Sequence, residues 1–149
     1  MAIVNRTPDS FYDRGATFTD EAAKEAAHRV ISDGADVVDI GGVKAGPGEV
    51  VDTAEEIARV VPFIEWLRST FPDQLISVDT WRAEVAKQAC AAGADLINDT
   101  TGLSDPRMAE EVARAGASLV LTHSVAEPRR PFPRPRYEDV VEEVRDFLA

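Results

Sequence analysis

The sequence predicts an α/β fold built on a parallel sheet, and two observations carry this. Short β-branched runs alternate with longer segments of helical periodicity, the order that βαβ units produce. A short phrase also recurs between helix and strand, as Gly34-Ala35-Asp36, Gly93-Ala94-Asp95 and Gly116-Ala117-Ser118. Glycine ends a helix readily because it enters the left-handed region without a Cβ penalty.

Taken in order, the strand runs are Ala2-Ile3-Val4-Asn5, Asp36-Val37-Val38-Asp39-Ile40, Leu75-Ile76-Ser77-Val78-Asp79, Asp95-Leu96-Ile97-Asn98 and Ser118-Leu119-Val120-Leu121-Thr122-His123. The first helix is expected from about Asp20 to Asp33, alanine-rich with acids in its first turn, as the helix dipole favours. In the second, Thr53 and Glu56 form a capping-box pattern, and Ile57, Val60, Val61, Ile64 and Leu67 share one face. Pro62 should kink that helix or cost it one hydrogen bond. Asp105-Pro106 reads as an N-cap with proline at the first helical position. Tyr137, Val140, Val141, Val144, Phe147 and Leu148 repeat at helical spacing in the last segment. No linker interrupts the chain, so residues 1–149 read as one domain.

Composition narrows the function. A chain of 149 residues with net charge −11 would be repelled by phosphate-rich surfaces, which argues against nucleic acid and against an anionic membrane as partners. No run approaches the roughly 20 apolar residues of a membrane span, and Met1-Ala2-Ile3-Val4-Asn5 lacks the form of a signal peptide. Cys90 is the single cysteine, so no internal disulfide can form. A cytoplasmic location is expected.

Each apolar run stops at a polar residue: Asn5, Asp39, Asp79, Asn98 with Asp99, and His123. In parallel βα folds ligands bind at the carboxyl ends of strands, where several side chains converge beside helix N-termini. For Asp39 and Asp99 a second reading stands equally, that they cap turns or helices.

These residues carry a resemblance. Asn5-Arg6-Thr7-Pro8-Asp9-Ser10-Phe11-Tyr12-Asp13 resembles the first signature of dihydropteroate synthase, Asn-Val-Thr-Pro-Asp-Ser-Phe-Ser-Asp. Asp36-Val37-Val38-Asp39-Ile40-Gly41-Gly42, Ile76-Ser77-Val78-Asp79-Thr80 and Leu96-Ile97-Asn98-Asp99 resemble that family's second, third and fourth strands, and Thr122-His123 its fifth. The likeness runs in order along the chain and is nearest to a divergent second form found in actinobacteria. It implies a (β/α)8 barrel of TIM type, of which this chain covers about the first five βα units, the C-terminal strands being absent. It also implies a transferase reaction of folate biosynthesis. In it 6-hydroxymethyl-7,8-dihydropterin pyrophosphate condenses with p-aminobenzoate, releasing pyrophosphate.

By the same resemblance Asn5 is a ligand of Mg²⁺, the expected cofactor, which holds the pyrophosphate; Mg²⁺ prefers oxygen ligands shared with phosphates. Asp79 and Asn98 bind the pterin, a ring that presents both donors and acceptors. Asp9 is the expected catalytic residue, stabilising electrostatically the cationic centre formed as pyrophosphate leaves. Thr7 lies in the same first loop and is expected to contact substrate. A homodimer is the expected assembly.

Two departures from the family pattern bear on activity. The second loop, Gly-Gly-Glu-Ser-Thr-Arg-Pro-Gly in the family, is here Gly41-Gly42-Val43-Lys44-Ala45-Gly46-Pro47-Gly48. The threonine and arginine so lost belong, in the family, to the site for p-aminobenzoate and the leaving pyrophosphate. Lys44 can supply charge there but not the planar fork of arginine. In the first loop, Arg6 replaces valine and Arg14 replaces glycine. Arg6 reads either as a compensating phosphate contact or as a solvated loop charge. The alternative function is therefore a weak or inactive pterin-binding paralogue, or a partner subunit. A pterin-binding methyltransferase is a further relative, against which the Thr7-Pro8-Asp9-Ser10-Phe11 loop argues.

The remaining features have bland readings. Trp81 is a packed or half-exposed aromatic, Cys90 a small core residue and His28 a surface or packing residue. Pro128-Arg129-Arg130-Pro131 has a PxxP form but reads as the long loop after the fifth strand.

Overall fold

A computed structural model describes residues 1–7, 19–44, 50–125, 127–128 and 134–149. Among them the elements alternate strictly: β1 (Ala2–Asn5), α1 (Asp20–Ser32), β2 (Val37–Gly41), α2 (Thr53–Thr70), β3 (Leu75–Asp79), α3 (Ala83–Ala92), β4 (Leu96–Asp99), α4 (Met108–Ala115), β5 (Ser118–Leu121) and α5 (Val140–Leu148). The sheet order is β1-β2-β3-β4-β5 with every pairing parallel. Each helix therefore returns the chain to lay the next strand beside the last, as the alternation of strand and helix runs predicts.

The three Gly-Ala phrases close their helices in one way. The N–H groups of Gly34, Gly93 and Gly116 donate three residues back, to Ile31, Cys90 and Ala113. Those of Ala35, Ala94 and Ala117 donate five residues back, to Val30, Ala89 and Val112. The glycines have φ of +90°, +115° and +71°, so the left-handed turn of the Schellman pattern is present at each. Substitution by alanine should separate two of them. At Gly116 nothing lies within 4 Å of a new Cβ, so only backbone strain of about 1 kcal/mol opposes it. At Gly93 the Cβ would meet Arg68 Cγ at 3.0 Å as well. Gly93→Ala is expected to lower the unfolding free energy clearly more than Gly116→Ala in chemical denaturation, and equal losses would contradict this packing.

Helix boundaries differ from expectation at three starts, one of them α5, which begins at Val140 behind its cap Asp139 and leaves Tyr137 outside the helix. Asp52, not Thr53, caps α2: its carboxylate accepts from the N–H of Glu55 at 2.8 Å. Adjacent Asp and Thr are both good caps, and the one preceding the first helical residue takes the role. Glu56 is consequently not the partner in a capping box, and its side chain turns inward. α4 begins at Met108, and Asp105-Pro106 forms the turn before it. The Asp105 carboxylate accepts from the N–H of Arg107 and, across a gap in sequence, from the N–H of Ala83 at the start of α3. Pro62 stands inside α2, which continues through it to Thr70. Lacking an N–H, Pro62 cannot donate to the carbonyl of Ala58 one turn earlier.

Strand alternation separates two faces. Val4, Val38, Ile40, Ile76, Val78 and Ile97 are fully buried against the helices, with Val60, Ile64, Leu67 and Val85 facing them. The opposite, inner face carries Ile3, Asp39, Ser77, Leu96 and Ser118 in one row across the sheet. One step further lies the row Asn5, Gly41, Asp79, Asn98 and Val120. Apolar residues on this inner face are open: Ile3 is 64% exposed, Leu75 52% and Val120 40%. In a closed barrel this face is filled by side chains from all its strands.

Candidate functional site

Register brings the strand-end residues together. Asn5 pairs with Gly41, Gly41 with Asp79, and Asp79 with Asn98. Paired residues of parallel strands project to the same face, about 4.8 Å apart per step. The three polar side chains chosen from sequence thus form a single row at the carboxyl end of the inner face. A larger residue at Gly41 would press on the row: a Cβ there would lie 2.9 Å from Asn5 Oδ1, and the Asn5 side chain would have to shift. Asn5, Asp79 and Asn98 are each half-buried.

Beneath this row Asp39 is buried and accepts from Ser77 Oγ at 2.5 Å. Asp99 points to the helix side and is wholly buried. It accepts from the N–H and hydroxyl of Thr101 and from the N–H of Leu103, so it shapes the β4–α4 turn, the second of its two sequence readings. That turn holds Leu103 at φ +62°, an uncommon conformation for a branched side chain.

Burial pushes the Asp79 carboxyl up to about 7, with the negative charges of Asp39, Glu56 and Asp99 adding to the effect. Near neutrality the group therefore switches between a carboxylate that only accepts and a carboxylic acid that also donates.

Around the row runs a set of contacts that sequence reasoning missed. Glu56 is fully buried, accepts from Thr80 Oγ1 at 2.7 Å and pairs with Arg82. Its pKa is raised because burial outweighs the opposing Thr80 hydrogen bond and the Arg82 charge. Arg82 also donates to the carbonyl of Val51 and lies over the Trp81 ring at 4.6 Å. From α2, which carries Glu56, Arg59 donates to the carbonyl of Gly42 at 2.9 Å. A signal for Glu56 does exist in the sequence. It lies four residues before Val60 and so on the apolar stripe, where an acid must find a partner.

The first-loop candidates are placed as follows. Arg6 is buried; its guanidinium pairs with Asp20, donates to the carbonyl of Thr19 and lies over Phe63 at 5.2 Å. These contacts fasten the chain after β1 to α1 and α2, so Arg6 is not the solvated loop charge that was one of its readings. Thr7 is also buried, and its Oγ1 has no hydrogen-bond partner among the described residues. A buried hydroxyl in that state is one that a ligand can satisfy. Lys44 is half-buried just beyond β2. Asp9, Arg14 and the altered stretch from Ala45 to Gly48 lie outside the described residues, as do Arg129, Arg130 and Pro131. His123 is half-buried, its ring packed edge-on against Phe147 at 4.8 Å. His28 packs against Trp66 and Phe71 on the outer surface. Cys90 is half-buried, its thiol pushed up by burial and by Asp95.

Parallel βα units laid side by side in chain order define a barrel of TIM type, of which these are about the first five units. More specifically, the chain belongs to the pterin binding enzyme family, whose model matches residues 1–149. The inactive dihydropteroate synthase 2 of Mycobacterium bovis is 71% identical over 134 residues, which are 89% of this chain and 42% of that protein. The dihydropteroate synthase of Streptococcus pyogenes serotype M1 is 39% identical over 151 residues, covering all of this chain and 54% of that protein. A crystal structure of Yersinia pestis dihydropteroate synthase in a sulfonamide drug complex superposes with a TM-score of 0.90 at 39% identity. It covers 99% of this chain and 53% of that one. The chain thus spans about half the length of the relatives it matches. Among the described residues no helix is long and apolar enough to cross a membrane.

Proposed function

We propose that this chain supplies the pterin-binding side of a dihydropteroate synthase-like transferase. In that reaction 6-hydroxymethyl-7,8-dihydropterin pyrophosphate condenses with p-aminobenzoate. The observation that carries the reading is the row Asn5–Gly41–Asp79–Asn98. It sets an amide, a carboxyl and a second amide on one face at the strand ends. A carboxylate at Asp79 accepts from the ring's N–H groups, while Asn98 can both donate and accept. Asp9 stabilises charge on the carbon that pyrophosphate leaves. A single domain over residues 1–149, a cytoplasmic location and a homodimer complete the reading, and the single cysteine suits a reducing compartment.

The donor set bears on Mg²⁺. Asn5 offers one hard oxygen, and among the described residues no group of three or more His, Cys, Asp or Glu could hold a metal. That suits an ion whose other ligands are pyrophosphate and water, and does not suit one caged by protein alone. Bound there by Asn5, Mg²⁺ would neutralise charge on the leaving pyrophosphate.

A second reading is a pterin-binding protein with little or no turnover. Two observations favour it: the Ser-Thr-Arg of the family's second loop is replaced by Lys44-Ala45-Gly46, and the 71% identical relative is named inactive. Titration of the full-length protein with the pterin pyrophosphate and Mg²⁺, followed by a turnover assay with p-aminobenzoate, separates them. Binding with product formation supports the transferase. Binding without product supports the second reading, and absence of both rejects each. Under the second reading, restoring threonine at Ala45 and arginine at Gly46 is expected to raise p-aminobenzoate binding at least tenfold, the scale of one bidentate contact.

A further inference from the structure

We propose that Glu56 is a positioning residue of the strand-end site, holding Thr80 and through it the Asp79 carboxyl and the Asn98 backbone in place. The inference rests on the reading of that row as a pterin site.

A fully buried carboxylate is costly, and an apolar side chain of similar volume usually serves stability as well or better. Glu56 nonetheless stands on the apolar stripe, and both partners of its carboxylate follow directly on the end of β3. Its carboxylate takes the Thr80 hydroxyl at 2.7 Å and the Arg82 guanidinium. Thr80 follows Asp79 directly, and its N–H donates to the carbonyl of Asn98 at 3.3 Å. Its hydroxyl oxygen also accepts from the N–H of Arg82 at 3.2 Å. Thr80 is thereby held on one side by β4 and on the other by α2. The backbone that aims Asp79 is not at liberty to turn. The stem of Glu56 also lies against the next loop: a Cβ on Gly42 would come 3.0 Å from Glu56 Cγ and 2.7 Å from Val60 Cγ1. One side chain thus fixes the chain leaving β3 and braces the chain leaving β2. The link to the ligand runs through a single hydroxyl, which makes it testable without dismantling the core.

The test uses the full-length protein and 6-hydroxymethylpterin as the probe, with affinity measured by titration calorimetry and folding checked by thermal unfolding. Thr80→Val keeps the shape of the side chain but removes the hydroxyl, and should weaken pterin binding about tenfold. Thr80→Ser restores the hydroxyl and should restore the affinity. Glu56→Met, which keeps the length of the side chain but removes both acceptor oxygens, should weaken binding to a similar degree. Because both changes cut one link, the double variant should bind no worse than the weaker single variant. Thr80→Val binding as tightly as the unmodified protein would overturn the inference. So would losses in Thr80→Val and Thr80→Ser that are equal, or single losses that simply add. If the unmodified protein fails to bind the probe, the pterin reading falls and this inference with it; if it binds and the variants match it, only the inference falls.

Discussion

Replacing Asp79 by asparagine is expected to weaken pterin binding by roughly 100-fold or more while making the protein more stable at pH 8. The first effect follows from losing a partly buried charged acceptor, on the order of 3 kcal/mol. The second follows from proton linkage. In the folded protein the Asp79 carboxyl holds its proton up to about 7, whereas in the unfolded chain it releases it near 4. Between those values the unfolded chain has ionised and the folded protein has not, so stability falls as pH rises through the window and levels off above it. Asparagine does not titrate and lacks that slope. Thermal unfolding at pH 5 and pH 8 should show the variant gaining on the wild type at the higher pH, by up to a few kcal/mol. Parallel curves for the two proteins at both pH values would contradict the raised pKa. The same titration implies that pterin affinity climbs as pH passes upward through about 7, since the carboxylate is the accepting form.

Arg68→Ala should do the reverse, lowering stability and sparing binding. Arg68 lies on α2 near the amino ends of the strands, opposite to the site. Its guanidinium donates to the carbonyls of Pro72, Gln74 and Gly93 and pairs with Asp95 at 2.6 Å. Asp95 in turn accepts from the N–H of Ile76. Removing one side chain leaves three carbonyls to water and frees the carboxylate at the entry to β4. The loss should be about 2–4 kcal/mol, or a drop in thermal midpoint on the order of 5–15 °C. Pterin affinity should stay within about twofold of wild type. A variant that lost pterin while keeping its midpoint would show the two ends of the sheet to be coupled.

Much of this was legible in sequence because it depends on periods and punctuation. The five strands coincide with the five apolar runs, β2 and β4 each reaching one residue past theirs, and the Gly-Ala phrases mark three helix ends. Asn5, Asp79 and Asn98 proved to share a row because strand ends in a parallel sheet align when each run stops at the same layer. The sequence was silent where a role depends on who arrives from elsewhere in the chain. Glu56 reads as the partner of a capping box, and although its place on the apolar stripe hints at burial, only the approach of Thr80 and Arg82 shows what it holds. Asp105 reads as a local cap, yet it reaches Ala83, which is 22 residues away. Arg6 left two readings open, because the ring of Phe63 and the carboxylate of Asp20 that receive it lie far along the chain. Thr53 was misjudged for a smaller reason, since two competent caps stood side by side.

The sheet order β1-β2-β3-β4-β5 is also the order in which a ribosome makes the strands. Among these five, each strand after the first finds its neighbour already present as it emerges, and none waits for a later one to be inserted between it and the strand before. Most contacts are accordingly between successive units, so the loop-closure entropy at each step is modest for a parallel sheet. Folding can therefore proceed alongside synthesis, one βα unit at a time, with the row that begins at Asn5 lengthening by one residue as each new strand docks.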